Sequence, residues 1–200
     1  RIIIECKAPN RKDGLKQLKT YLDLSAAEIG VWFNGSDKVI LRKVFDKAGK
    51  PSYSEIPTIP RKGQSLADIG KHTKADLERA HNLKTILVRI RNHLAGNATG
   101  TTRDEAIATE IINLLFCKIH DEKVKKDTDI VEFRAQLDES AKNVATRVKT
   151  LFDSMKLAYK GVFSDSDKIT LEPAALLYVV GELQQFGLLK TERDIVADAF

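Results

Sequence analysis

The feature that most restricts how this chain can fold is a change of hydrophobic period between its first third and the rest. Up to residue 46, short apolar runs of strand length flank one helical stretch. Beyond about residue 74 the apolar residues recur every three or four positions. Between them, "DKAGKPSYSEIPTIPRKG" repeats Gly, Pro and Ser, which marks a linker over 47–73. The expected class is therefore α+β, with a partial α/β domain over 1–46 and an all-helical bundle over 74–200.

The opening "RIIIECKAPN" reads as a buried strand that stops at Pro9, which cannot donate to a ladder. Alternation puts Ile3, Glu5 and Lys7 on one face, and Ile2, Ile4 and Cys6 on the other. In "NRKDGLKQLKTYLDLS", Leu15, Leu18 and Leu22 mark a helix, with Asn10 and Asp13 as a capping pair. Gln17 and Tyr21 stand four residues apart on a stripe beside the leucines. "EIGVWFNGSDKVILRKV" follows as two strands around an Asn34–Asp37 turn.

The second part reads as successive helices. Leu77, Ala80, Leu83, Leu87, Ile90 and Leu94 form one stripe ending before Gly96, and Thr102 with Glu105 forms a capping box for the next helix. "LDESAKNVATRVKTLFDSMK" and "PAALLYVVGELQQF" are two more, the latter stopping near Gly187. "TERDIVADAF" begins a further helix with Thr191 as its N-cap, and the chain is expected to continue past Phe200.

Charge narrows the partner. The net charge is +5, but residues 1–62 hold 13 Lys/Arg against 7 Asp/Glu, whereas 63–200 hold 20 against 21. Within 71–93 there are six basic residues and two acidic ones. A basic first third fits a polyanion such as double-stranded DNA, although lysine-rich surfaces also serve solubility. Lys74, Arg79, Lys84, Arg89 and Arg91 are the candidate DNA contacts, and a solvated helix face is the equal alternative.

No apolar run reaches the ~18 residues of a membrane helix, and no signal peptide is visible. Cys6 and Cys117 lack metal or disulfide spacing and read as buried free thiols of a cytoplasmic protein. His72, His81, His93 and His120 lack ligand spacing.

An acid-x-Lys pair is expected about once by chance in a chain of this length, and Asp121-Glu122-Lys123 is a second match. Glu5/Lys7 differs in context, because it closes an apolar strand and is followed at once by Gln17 and Tyr21. With these residues in view, "IIIECKAPN…QLKTY" resembles the nuclease domain at the N-terminus of type I restriction enzyme R subunits, in the PD-(D/E)-x-K superfamily. That resemblance implies a magnesium ion held by Glu5 and the main-chain carbonyl of Cys6. It makes Lys7 the residue that orients the water and meets developing charge, with Gln17 and Tyr21 positioning the DNA backbone or the lysine. The superfamily's first metal carboxylate would precede residue 1. The other reading of Glu5/Lys7 is a strand-end ion pair.

Residues 74–200, above all "LLFCKIHDEK", resemble the helical domain that precedes the catalytic core of type I-like adenine DNA methyltransferases. The chain holds neither a Gly-rich S-adenosylmethionine loop nor an Asn/Asp-Pro-Pro-aromatic motif, so S-adenosylmethionine is expected only for a core beyond it. It also shows no P-loop, so no ATP-driven motor is expected here. Together the resemblances imply a piece of a fused restriction–modification protein, with a specificity subunit or domain as a further partner. The alternative is a non-catalytic DNA-binding or subunit-docking module.

Overall fold

A computed structural model describes residues 1–9, 11–35, 37–97 and 104–191. It is α+β, and divides into two compact units at Gly63/Gln64. The expectations resting on Asn10, Thr102 and the helix after Thr191 lie outside the described residues.

In the first unit a four-stranded sheet carries one helix. β1 (Ile2–Cys6) pairs in parallel with β2 (Ile29–Phe33), which pairs antiparallel with β3 (Lys38–Phe45), which pairs antiparallel with β4 (Pro51–Glu55). α1 (Leu15–Asp23) makes the crossover that a parallel β1–β2 pair requires. Its buried Leu18 and Leu22 pack with Ala27, Trp32 and Leu41. A Cβ on Gly30 would lie 2.7 Å from Leu22 Cδ1, so the helix approaches the sheet where β2 has no side chain. The β2–β3 turn is the expected one: Asn34 N–H donates to the Asp37 carbonyl, and Asn34 Oδ1 accepts from Asp37 N–H at 2.7 Å.

Three expectations for this unit are corrected. The strand β1 is half-covered, because α1 shields only the Ile3/Glu5 face; Ile4 on the other face is 62% exposed and Cys6 is exposed as well. α1 has Gly14 as its N-cap, with no side-chain cap, and Asp13 is engaged by Arg11. The expected linker over 47–73 is folded: β4 extends the first sheet, whereas Ile69 and His72 are buried in the second unit.

The second unit is mainly helical, with α2 (Leu83–Asn97), α3 (Asp104–Val124), α4 (Ala141–Ala158) and α5 (Pro173–Leu183). Each packs on the next and α5 returns to α2, closing a ring of four around one apolar core. It is not wholly helical: β5 (Glu78–Arg79) pairs in parallel with β6 (Phe186–Gly187). The helix expected from residue 74 starts only at Leu83, because the backbone before it is bonded elsewhere. Glu78 N–H donates to the Gln185 carbonyl, Ala80 N–H to Thr191 Oγ1, and Lys190 Nζ to the carbonyls of Ala75 and Leu77. Leu77 and Ala80 are nevertheless buried, so the apolar pattern marked core positions without their conformation. At its other end α2 runs through Gly96 to Asn97.

α3 carries the polar skeleton of this unit. Glu110 accepts from Thr170 N–H, and Asp121 Oδ2 accepts from the amides of Glu132 and Phe133. Glu122 accepts from the amides of Leu188 and Leu189. Lys118, almost fully buried, pairs with Glu122 at 3.2 Å and sits over the Phe133 ring. Three carboxylates on one helix thus tie down three irregular segments, and the amides of Phe133 and Leu188 among them are bonded in the buried interior. Burial pushes the Cys117 thiol on the same helix well up.

Candidate active site around Glu5 and Lys7

Strand alternation points Glu5 and Lys7 toward α1, where their side chains are 14% and 19% exposed. Glu5 is the cross-strand neighbour of Trp32, and Lys7 N–H extends the ladder by donating to the Phe33 carbonyl. Lys7 Nζ lies 2.7 Å from Glu5 Oε1 and donates to Gln17 Oε1 at 3.2 Å. Gln17 Nε2 donates in turn to the Tyr21 hydroxyl oxygen. The four residues singled out from the sequence therefore form one continuous hydrogen-bonded chain across β1 and α1.

The direction of that chain is forced by its chemistry. An ammonium only donates, so Gln17 must present its oxygen to Lys7 and its NH₂ to Tyr21. The Tyr21 oxygen then accepts, and its own proton is left to donate outward from a ring that is 41% exposed. The hydrogen bond to the Glu5 carboxylate raises the Lys7 pKa above its ordinary value, which keeps the group an ammonium at neutral pH. It is suited to holding charge, not to accepting a proton.

The loop before α1 borders the site, and sequence reasoning named only its Asn10 and Asp13, as a capping pair. Arg11 and Asp13 form a two-bonded pair at 2.6 and 2.8 Å, which draws the Asp13 carboxyl down to about 2. Trp32 Nε1 donates to the Asp13 carbonyl at 2.8 Å, and Asn34 Nδ2 to the Arg11 carbonyl at 2.8 Å. Gly14 follows with φ 109°. The available signals were the Asp-Gly dipeptide before the leucine stripe and the chain's single tryptophan.

Among the described residues, no three His, Cys, Asp or Glu side chains stand close enough to hold a metal. Glu5 supplies one hard oxygen donor beside the Cys6 main chain. That set fits an ion which takes few protein ligands and completes its shell from water and phosphate, as magnesium does.

The five candidate DNA contacts are spread over different elements. Lys74 Nζ donates to the Lys125 carbonyl at 3.0 Å, Arg79 lies in β5, and Lys84 is exposed on α2. Arg89, itself partly buried, is bound through two nitrogens to Glu182, whose side chain is 3% exposed, so it is committed to an internal carboxylate. Arg91 makes an exposed pair with Asp104. In the second acid-x-Lys match, Asp121 binds backbone amides and Lys123 lies over Tyr159, so those two do not meet. His93 stacks on Tyr178 at 3.5 Å.

No protein-family model and no curated protein matches the chain. Among the described residues no helix is long and apolar enough to cross a membrane.

Proposed function

We propose that the first unit carries part of a magnesium-dependent DNA nuclease centre, within a fused restriction–modification protein that acts on double-stranded DNA. The observation that carries this reading is Lys7, held between Glu5 and Gln17 in a chain that ends on an outward-donating Tyr21. Glu5 and the Cys6 carbonyl would hold the ion. When bound, magnesium supplies Lewis acidity and a water of lowered pKa. With two of its three N–H bonds on Glu5 and Gln17, Lys7 would use the third to orient an attacking water, and its charge would offset that building on phosphate. Gln17 fixes the ammonium in place, and Tyr21 donates to a backbone phosphate oxygen.

The second unit is proposed as the helical domain that precedes an S-adenosylmethionine-dependent adenine methyl-transfer core and meets a specificity subunit or domain. The similarity of "LLFCKIHDEK" supports this. The α3 residues of that segment are used in tying its own unit together, so they are assigned no role in methyl transfer.

The test joins calorimetric magnesium titration to a plasmid-nicking assay on the full-length protein. Glu5→Ala should weaken magnesium binding. Lys7→Ala should leave the ion bound and lower cleavage by about 10²–10³-fold, as loss of a charge-stabilising donor does. Gln17→Ala and Tyr21→Phe should cost about tenfold each, since they position. Cleavage by Lys7→Ala equal to the parent's would reduce Glu5/Lys7 to a strand-end ion pair. DNA binding without any metal-dependent cleavage would favour the non-catalytic docking module.

A further inference from the structure

Among the described glycines, only Gly14 would set a Cβ against the Lys7 side chain. A Cβ there would fall 2.5 Å from Lys7 Cε, far inside van der Waals contact, and 3.1 Å from Trp32 Nε1, a tight approach. Its φ of 109° is itself a conformation that residues with a Cβ rarely adopt. The turn is held from the sheet side, because the indole N–H of Trp32, 3% exposed, donates to the carbonyl of Asp13. Trp32 is also the cross-strand partner of Glu5. One indole thus lies beside the acid and holds the loop that bounds the lysine.

We propose that Gly14 and Trp32 are positioning residues for Lys7: they form a slot, open only because residue 14 lacks a Cβ, that directs the ammonium onto Glu5 and Gln17. The relevance of this slot to DNA cleavage rests on the nuclease reading above; the slot itself does not. Its logic is steric. Lys7 Cε is near the free end of a flexible side chain, so the easiest response to a Cβ at residue 14 is for the lysine to swing away. The fold would largely survive such a change, while the Lys7–Gln17 bond would not.

The test is a double-mutant comparison on the 200-residue chain, read by NMR from two side-chain signals. Trp32 is the only tryptophan, so its indole N–H gives one unambiguous peak. The Gln17 carboxamide, which accepts from Lys7, gives the second. Gly14→Ala should displace the Gln17 signal and speed exchange of the indole N–H by about fivefold, the equivalent of losing one hydrogen bond. Trp32→Phe keeps a ring but removes the donor, and should displace the Gln17 signal in the same direction. In a Lys7→Ala background neither substitution should move the Gln17 signal further, since there is no ammonium left to misplace.

A role confined to backbone strain at Gly14 or to ring packing at Trp32 would move Gln17 equally with and without Lys7. That result overturns the proposal. Should Gly14→Ala fail to fold, Trp32→Phe carries the same comparison. Lys7-dependent coupling in a protein that never cleaves DNA would remove the nuclease reading and keep the slot. Cleavage that needs Lys7, with no coupling, would do the reverse.

Discussion

Glu122→Gln is the smallest change expected to unsettle the second unit. The substitution keeps shape and size but turns one carboxylate oxygen into an NH₂. Both oxygens are already accepting: Oε1 from Leu188 N–H at 3.0 Å and Oε2 from Leu189 N–H at 2.9 Å, with Lys118 Nζ 3.2 Å from Oε1. Whichever way the amide turns, a donor faces a donor in a site where the Glu122 side chain is 3% exposed. Lys118, 1% exposed, also loses its counter-charge. Removing one partner of a buried pair costs about 3–5 kcal/mol, a large share of the ~5–15 kcal/mol that holds a domain together. For a unit of this size the melting temperature should fall by ~10–15 °C. Lys118→Met should cost less, because Glu122 keeps its two backbone donors. Far-UV circular dichroism follows the four helices through urea and thermal unfolding, and gives both values. A loss under about 1 kcal/mol for Glu122→Gln would refute the reasoning, since it would mean that the amides and the lysine find other partners at no cost.

Charge reversal separates the two arginines of α2. Arg89→Glu sets two carboxylates together at Glu182 and should cost at least ~3 kcal/mol, whereas Arg91→Glu, at an exposed pair, should cost under about 1 kcal/mol. If α2 meets DNA, the salt dependence of binding should flatten in Arg91→Glu and Lys84→Glu; fluorescence anisotropy across a salt series reads that slope, and an unchanged slope removes α2 from the interface. Burial and the bond to Asp23 raise the Tyr53 phenol from about 10 to about 12. The folded state therefore holds that proton more tightly, so its contribution is full below pH ~10 and is lost as pH rises through about 12. Ultraviolet titration should show a phenolate forming near pH 12 that is absent from Tyr53→Phe, and the same substitution should remove this part of the alkaline loss of stability.

Much of the architecture was legible because it is written in local spacing. The leucines of α1, the Asn34–Asp37 turn, and the apolar stripes of α3, α4 and α5 are short-range patterns that the backbone obeys directly. The same holds for Glu5, Lys7, Gln17 and Tyr21: two alternating strand positions and one helical i, i+4 pair need only a crossover between them to meet.

What the sequence could not decide is where long-range bonds outvote local preference. Residues 74–82 have a helical apolar pattern, yet Gln185, Lys190 and Thr191 claim their amides and carbonyls, and a two-residue parallel ladder results. Arg89 reads as a surface cation until Glu182, 93 positions away, takes it inward. Asp121 and Glu122 belong to the second acid-x-Lys match, and tertiary folding turns them onto the backbone amides of two loops. Cys6 looks like a core thiol, but only one face of β1 is covered. Nothing in the local sequence singles out Gly14, and the approach of Lys7 and Trp32 is what leaves no room for a Cβ there. In each case the residue type and its near neighbours are compatible with both outcomes. The choice between them belongs to partners brought close by folding, because a buried donor, acceptor or charge must be matched by whatever group the packing sets beside it.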